Sequence, residues 1–178
     1  MAEKKPKVKY DLAEAAKIET DLSNILGKEN LIQAMDFITY MAALGIVPEK
    51  MEHPYHYIFH HKGVFVCLVV CWKDDNGDNL MFCCWPGDLD VIENDKFPVS
   101  EELKEFARAN VKKCFKCGGC EIEPSVRIVF GEEHDNVCCN VFHFWKLNKE
   151  TIENVKTLMN LLKHTIDDNE AIGGEKHG

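Results

Sequence analysis

The sequence predicts a single α+β domain, a mostly antiparallel sheet of about five strands with helices packed on one face, in the order α-α-β-β-β-α-β-β-α. Three observations predict it. The apolar period is helical up to Leu44, switches to two between Tyr55 and Trp85, and later repeats that alternation once more. Turn signals of the hairpin kind separate the strand-like runs. The length, 178 residues, suits one well-buried domain and is short for two.

Residues 1–10 are lysine-rich and read as a disordered tail, 11–168 as the domain, and 169–178 as a flexible tail. Asp11 and Glu14 have capping-box spacing, and Leu12, Ala15, Ile18, Leu22 and Ile25 follow as an apolar stripe. Gly27 is expected to stop that helix. A second helix over 29–44 carries Leu31, Met35, Ile38 and Met41 or Ala42. Gly45 closes it, Ile46 packs back, and Pro48 prevents its restart.

Tyr55 to His60 then alternates, and Val64 to Trp72 is apolar on both faces, the composition of a central strand. Asp74-Asp75-Asn76-Gly77 marks a hairpin into Leu80–Trp85, which Pro86-Gly87 ends. Residues 86–99 show no element. Asp88, Asp90 and Glu93 there read as a solvated acidic loop.

Ser100 is the expected N-cap of a third helix, striped by Leu103, Phe106, Ala107, Val111 and Cys114. Val126–Phe130 is a strand, Gly131–Asn136 a turn, and Val137–Trp145 another strand. Asn148 caps a last helix with Ile152, Val155, Leu158, Met159 and Leu162 inward.

Composition narrows the function. Apolar content of 46% with 29% charged residues describes a folded globular chain. A net charge of −9 opposes non-specific binding to nucleic acid or an anionic membrane. No apolar run approaches the ~20 residues of a membrane span, and the lysine-rich start lacks the apolar core of a signal peptide. A cytoplasmic location is the expectation, and nine cysteines, an odd number, fit a reducing compartment.

The cysteines carry the chemistry. Cys114-Phe115-Lys116-Cys117-Gly118-Gly119-Cys120 presents thiols from a tight glycine turn, and Cys138-Cys139 follows on a strand. Zinc is the candidate cofactor. A Cys-x-x-Cys knuckle containing Cys117 presents two thiolates, Cys114 or Cys120 is the candidate third ligand, and Cys138 or Cys139 the fourth. Neighbours on a strand face opposite ways, so one of that pair is expected to reach the metal. His143 is expected about 13 Å along the strand from Cys139, too far to share an ion with it. An iron–sulfur cluster is a variant on Cys-x-x-Cys-x-x-Cys, but the fourth cysteine followed by proline is missing.

A thiol oxidoreductase using Cys117 and Cys120 is the alternative function. Its motif follows a helix, whose negative end disfavours a thiolate. Ordinary packing competes with both chemistries: Cys67, Cys71, Cys83, Cys84 and Cys114 sit in apolar stretches where cysteine acts as a small hydrophobe.

Among other groups, His53, His56, His60 and His61 read as a solvated edge strand. Trp72, Trp85 and Trp145 end strands and are candidates to line one small-molecule pocket. A self-associating module, dimerising through the first helices or an edge strand, is a further alternative. No phosphate-binding glycine loop, nucleophile elbow or metal-protease helix is present in the sequence.

Four segments together resemble a group of small bacterial cysteine-rich proteins with no established activity. They are Leu44-Gly45-Ile46-Val47-Pro48, Lys62-Gly63-Val64-Phe65-Val66-Cys67, Cys117-Gly118-Gly119-Cys120, and Phe130-Gly131-Glu132-Glu133-His134-Asp135-Asn136-Val137-Cys138. The resemblance spans roughly residues 30–165 on ordinary domain sizes. It implies a bacterial cytoplasmic protein and assigns no residue a role.

Overall fold

Helix stops and hairpin turns fix the chain path, and a computed structural model describes it for residues 12–86, 89–92, 97–115, 123–145 and 147–173. In chain order the elements are α1 (Leu12–Ser23), α2 (Lys28–Ala43), β1 (Pro48–Lys50), β2 (His56–His61), β3 (Val64–Asp74) and β4 (Gly77–Pro86). Then follow α3 (Glu101–Ala109), β5 (Val111–Lys113), β6 (Ser125–Val129), β7 (Glu132–Phe144) and α4 (Lys149–Gly173). The domain is α+β with an antiparallel sheet, as the periodicity predicts, but the sheet has seven strands in the order β1-β2-β3-β4-β7-β5, with β6 also on β7. The added strands, β1 and β5, have three residues each, too few to show a period of two.

Local chemistry sets the boundaries. Gly45 takes φ +80°, its N–H donates to Ala42 O (2.9 Å), and Ile46 N–H donates to Met41 O (3.0 Å). This is the paired C-terminal motif expected at Gly45-Ile46, with Ile46 fully buried. Pro48 does more than prevent helix: it begins β1. The Ser100 hydroxyl accepts from Leu103 N–H (3.3 Å) and Asn148 Oδ1 from Thr151 N–H (2.8 Å), so both expected caps form.

Gly27 has a different task from the expected helix stop. It is the N-cap of α2, and its N–H donates to Asp78 Oδ2 at 2.9 Å. Asn30 Nδ2 donates to the same oxygen at 2.7 Å. A Cβ at residue 27 would stand 3.1 Å from the Asp78 carboxylate, so glycine permits this approach. A carboxylate from the start of β4 thus caps α2, and these hydrogen bonds hold its pKa below the ordinary range.

The helices cover one sheet face. Phe37 of α2 stacks on Phe82 at 4.3 Å and meets Phe59 edge-on at 6.1 Å. Phe106 of α3 stacks on Phe144 at 5.4 Å. Along α2 the buried face is Ala34, Phe37, Ile38 and Met41, rotated from the expected stripe, with Leu31 and Met35 at its margin. Leu12, expected on the stripe of α1, is exposed, whereas Ile18 and Leu22 are buried. All five apolar positions expected in α4 are buried, and the helix continues through residues placed in the flexible tail.

Two strand readings change. β2 is not an edge strand, because β1 pairs beyond it (Glu49 opposite Ile58). The Phe130-Gly131 pair, with φ +46° and +81°, makes the last hairpin turn, so β7 begins at Glu132 rather than Val137. The proposed capping box at Asp11, the N-terminal tail, Asp88, Glu93 and residues 174–178 lie outside the described residues.

Because Asp78 accepts both hydrogen bonds at the start of α2, Asp78→Ala is expected to lower stability by about 1–2 kcal/mol. Urea unfolding with an unchanged m-value is the check. A variant as stable as the parent would show that the cap contributes nothing.

Candidate thiol site on the second sheet face

β7 positions the candidate site. Phe142 lies between Cys84 of β4 and Val111 of β5, whereas Val137 lies between Ser125 of β6 and Lys113 of β5. β4 and β6 therefore follow one another along one edge of β7, and β5 takes the other. The registers do not agree: the β5 ladder slips between Val111 and Lys113, the β6 ladder slips near Ser125, and Asn136 takes φ +56°. Cys138 and Cys139 sit inside this irregular stretch.

The slip overturns one expectation about side-chain direction. The sulfurs of Cys138 and Cys139 are 3.8 Å apart, so these neighbours turn toward each other rather than to opposite faces. A regular strand would separate them; a bulged one need not. Cys138 is buried and Cys139 half-buried.

Cys114 is tied to the same bulge through its backbone. Its N–H donates to Asn136 O (2.7 Å), and Asn136 Nδ2 donates to Cys114 O (2.7 Å). It follows β5 rather than continuing the α3 stripe, since α3 stops at Ala109. The segment leading up to the cysteine loop is therefore a strand, β5, and not the helix end that the sequence suggests. Cys117 and Cys120 lie outside the described residues.

Two groups that the sequence gives no reason to connect complete the patch. Cys83 of β4 stands directly opposite His143 of β7. Burial raises the Cys83 thiol well above its ordinary pKa, and the thiols of Cys84, Cys138 and Cys139 add to the effect. Both ring nitrogens of His143 are buried without a hydrogen-bond partner. Burial, then the Lys112 ammonium, lower its pKa to about 4, so the ring is neutral at physiological pH. Neutral imidazole and thiols are donors suited to a soft or borderline metal once the thiols lose their protons. Among the described residues, no group of three or more His, Cys, Asp or Glu side chains is gathered closely enough to hold a metal ion.

The remaining cysteines pack. Cys67 and Cys84 are direct cross-strand partners, fully buried, with sulfurs 3.1 Å apart. Burial pushes the Cys71 thiol up to about 12, with the Asp21 carboxylate adding to it. The tryptophans divide: Trp85 is fully buried against Phe142, while Trp72 and Trp145 meet edge-on at 5.5 Å. Trp145 also lines a cavity of about 400 Å³ with Phe106, Asn110, His143, Phe144 and Thr151. The histidines near β2 do not converge: His53 stacks on His56, His60 meets Phe65, and His61 bonds Asp167 at 2.7 Å.

His143 generates a pH prediction. Its folded pKa lies below the ordinary 6.5, so between about 4 and 6.5 the unfolded chain binds more protons. Its contribution is complete above that window and is lost as pH falls toward 4. The expected loss is roughly 1–2 kcal/mol, discounted because the ring is partly solvated. His143→Phe should flatten the stability profile over this window, measured by urea unfolding at stepped pH; an unchanged profile would contradict the assignment.

Against these features, no protein-family model, no curated protein and no solved structure matches the chain.

Proposed function

We propose that the chain is a cytoplasmic binding or sensing domain in which the cysteine segment 114–120 and the Cys138-Cys139 pair take up zinc beside a small-molecule pocket. The observation that carries this reading is the 3.8 Å approach of the two strand thiols, with Cys114 tied to Asn136 of the same bulge. Cys138 and Cys139 supply donors from a strand, and Cys114, Cys117 and Cys120 are the donors of the loop. Zinc bound this way closes the loop onto β7 with Zn–S bonds of about 2.3 Å. Binding expels thiol protons, so affinity rises with pH.

The cavity at Trp145 suits a small ligand. Its walls are largely aromatic, and Asn110, Thr151 and His143 offer a few polar groups for orientation. His143 also faces Cys83 across the sheet, which gives metal and ligand a shared neighbour.

Metal analysis of protein purified without a histidine tag tests the zinc reading. The expected result is about one zinc per chain, lost in Cys138→Ser/Cys139→Ser while far-UV circular dichroism is retained. Less than ~0.2 zinc per chain would overturn it, because structural zinc is held tightly. The rival thiol oxidoreductase requires Cys117 or Cys120 to alkylate with a midpoint clearly below ~8.5 in metal-free protein.

A further inference from the structure

Of the 21 lysine and arginine residues in the chain only two are arginine, Arg108 and Arg127, and the fold brings both to one hairpin. Arg108 lies in the last turn of α3, which packs on β6. Arg127 is in the middle of β6, directly opposite His134 of β7. Directly opposed residues of a ladder project to the same side. Glu132, two residues before His134 in the same regular stretch, lies on that side too. Arg108 reaches over to it: Arg108 Nε is 3.7 Å from Glu132 Oε2, and His134 Nε2 is 3.7 Å from Glu132 Oε1.

Both contacts are too long for hydrogen bonds. Arg108 Nε, Arg127 Nε and His134 Nε2 are each buried without a hydrogen-bond partner. Among the described residues six side-chain atoms have that property, and half of them meet at this hairpin. Buried polar groups are ordinarily bonded to protein, water or an ion, so three neighbouring unpaired nitrogens mark a position for an acceptor. Both arginine nitrogens are donors, and His134 Nε2 donates in its Nε2–H tautomer or as imidazolium. Arg108 is held ready, because its Nη2 donates to the carbonyl of Phe130 in the turn and fixes the guanidinium plane. Glu132 is 59% exposed and makes no hydrogen bond to these nitrogens, so it occupies the position loosely.

We infer that Arg108, Arg127 and His134 bind a phosphate dianion, free or as a small monoester, which displaces the Glu132 carboxylate. The guanidinium fork matches phosphate oxygens two at a time, which the point charge of a lysine does not. Charge decides the exchange with Glu132. A phosphate monoester carries about −1.5 to −2 at neutral pH, against −1 on the side chain it replaces. Its attraction to two permanently charged guanidinium groups is correspondingly larger.

Neighbouring carboxylates limit the size of the ligand. Asp90 Oδ1 accepts from Ile128 N–H (3.0 Å), next to Arg127. Glu133 stands opposite Ile128, on the other side of the hairpin from Arg127 and His134, and Asp135 follows in the chain. These groups and the net charge of −9 repel an extended polyanion such as nucleic acid, whereas a single phosphate meets the guanidinium groups alone. The site is separate from the zinc reading, because none of its residues is a thiol donor.

Having only two arginines makes the test direct. In the full chain labelled with nitrogen-15, their Nε–H groups give two side-chain resonances. Inorganic phosphate at constant ionic strength is expected to shift both, saturating with a Kd of about 1 mM or lower. Phenyl phosphate shifting the same signals more tightly identifies a monoester as the ligand; phosphate alone shifting them identifies the free ion. Arg127→Gln, read on the Arg108 signal, is expected to weaken binding by ~10-fold or more. Glu132→Gln is expected to strengthen it by ~3-fold or more, since it removes the competing charge. Glu132 is exposed, so that variant keeps its fold even where Arg127→Gln does not. Signals that move no further in about 20 mM phosphate than in sodium chloride of equal ionic strength overturn the inference. A Glu132→Gln variant that binds phosphate no more tightly than the parent also overturns it, and leaves the cluster as an ion-pair network alone.

Discussion

One strand, β7, is asked to satisfy three neighbours, and much of the structure follows from that demand. Its thirteen residues serve β4 and β6 in succession along one edge and β5 along the other. Backbone N–H and C=O groups must be paired when buried, so a strand shared among three ladders keeps each in local register and absorbs the mismatch between them. The mismatch falls at Asn136 to Cys139. It turns adjacent thiols to one side, and the spare polar groups of Asn136 are satisfied by Cys114. Beyond the slip, the strand is regular and delivers Phe142 and Phe144 to the core.

The sheet's two faces then differ in kind. The first is a conventional aromatic core: Phe37, Phe59, Phe82, Phe142 and Phe144 are all at or near zero exposure, and the stacked pairs add about 0.5–1.5 kcal/mol each beyond their burial. The second has a buried centre, Met81 and Cys83, flanked by half-buried Leu68 and Val70. Burial pushes the Cys83 thiol up, and burial also holds His143 neutral. The chemistry of this face is therefore that of uncharged donors.

Much of this was legible in the sequence where the signal is local. Helix ends are written in two or three residues, which is why Gly45-Ile46, Ser100 and Asn148 act as read. Lys62-Gly63 turns β2 into β3 with both residues at positive φ, and Asp74 to Gly77 turns β3 into β4. What escaped is non-local. A three-residue strand such as β1 or β5 has no period to detect and exists only because a neighbour offers a ladder. The opposition of Cys83 and His143 depends on the β4–β7 register, which no spacing along the chain encodes. The Cys138–Cys139 approach depends on a slip set by three partners. The apolar second face of β3 was visible as composition, but composition alone does not say on which face the helices pack.

Electrostatics ties the helices to the sheet. Its carboxylates tie helices to the sheet rim and to each other. Asp21 of α1 accepts from the Tyr57 hydroxyl (2.6 Å) and pairs with Lys50 (2.8 Å), joining α1 to β1 and β2. Asp36 of α2 meets Lys156 of α4 at 2.7 Å. Asp167 of α4 gathers Lys163, Lys62 and His61 around the β2–β3 turn, and these partners hold its carboxyl well below the usual range. Single exposed pairs of this type contribute little, about 0–1 kcal/mol, but here each joins two elements and orients a helix over the core. These ties lie on the helical side of the sheet or at its rim. On the opposite face, Glu49 beside Ile58 and Asp74 opposite Gly77 place carboxylates at the rim, while Leu68, Val70 and Cys83 form the apolar centre.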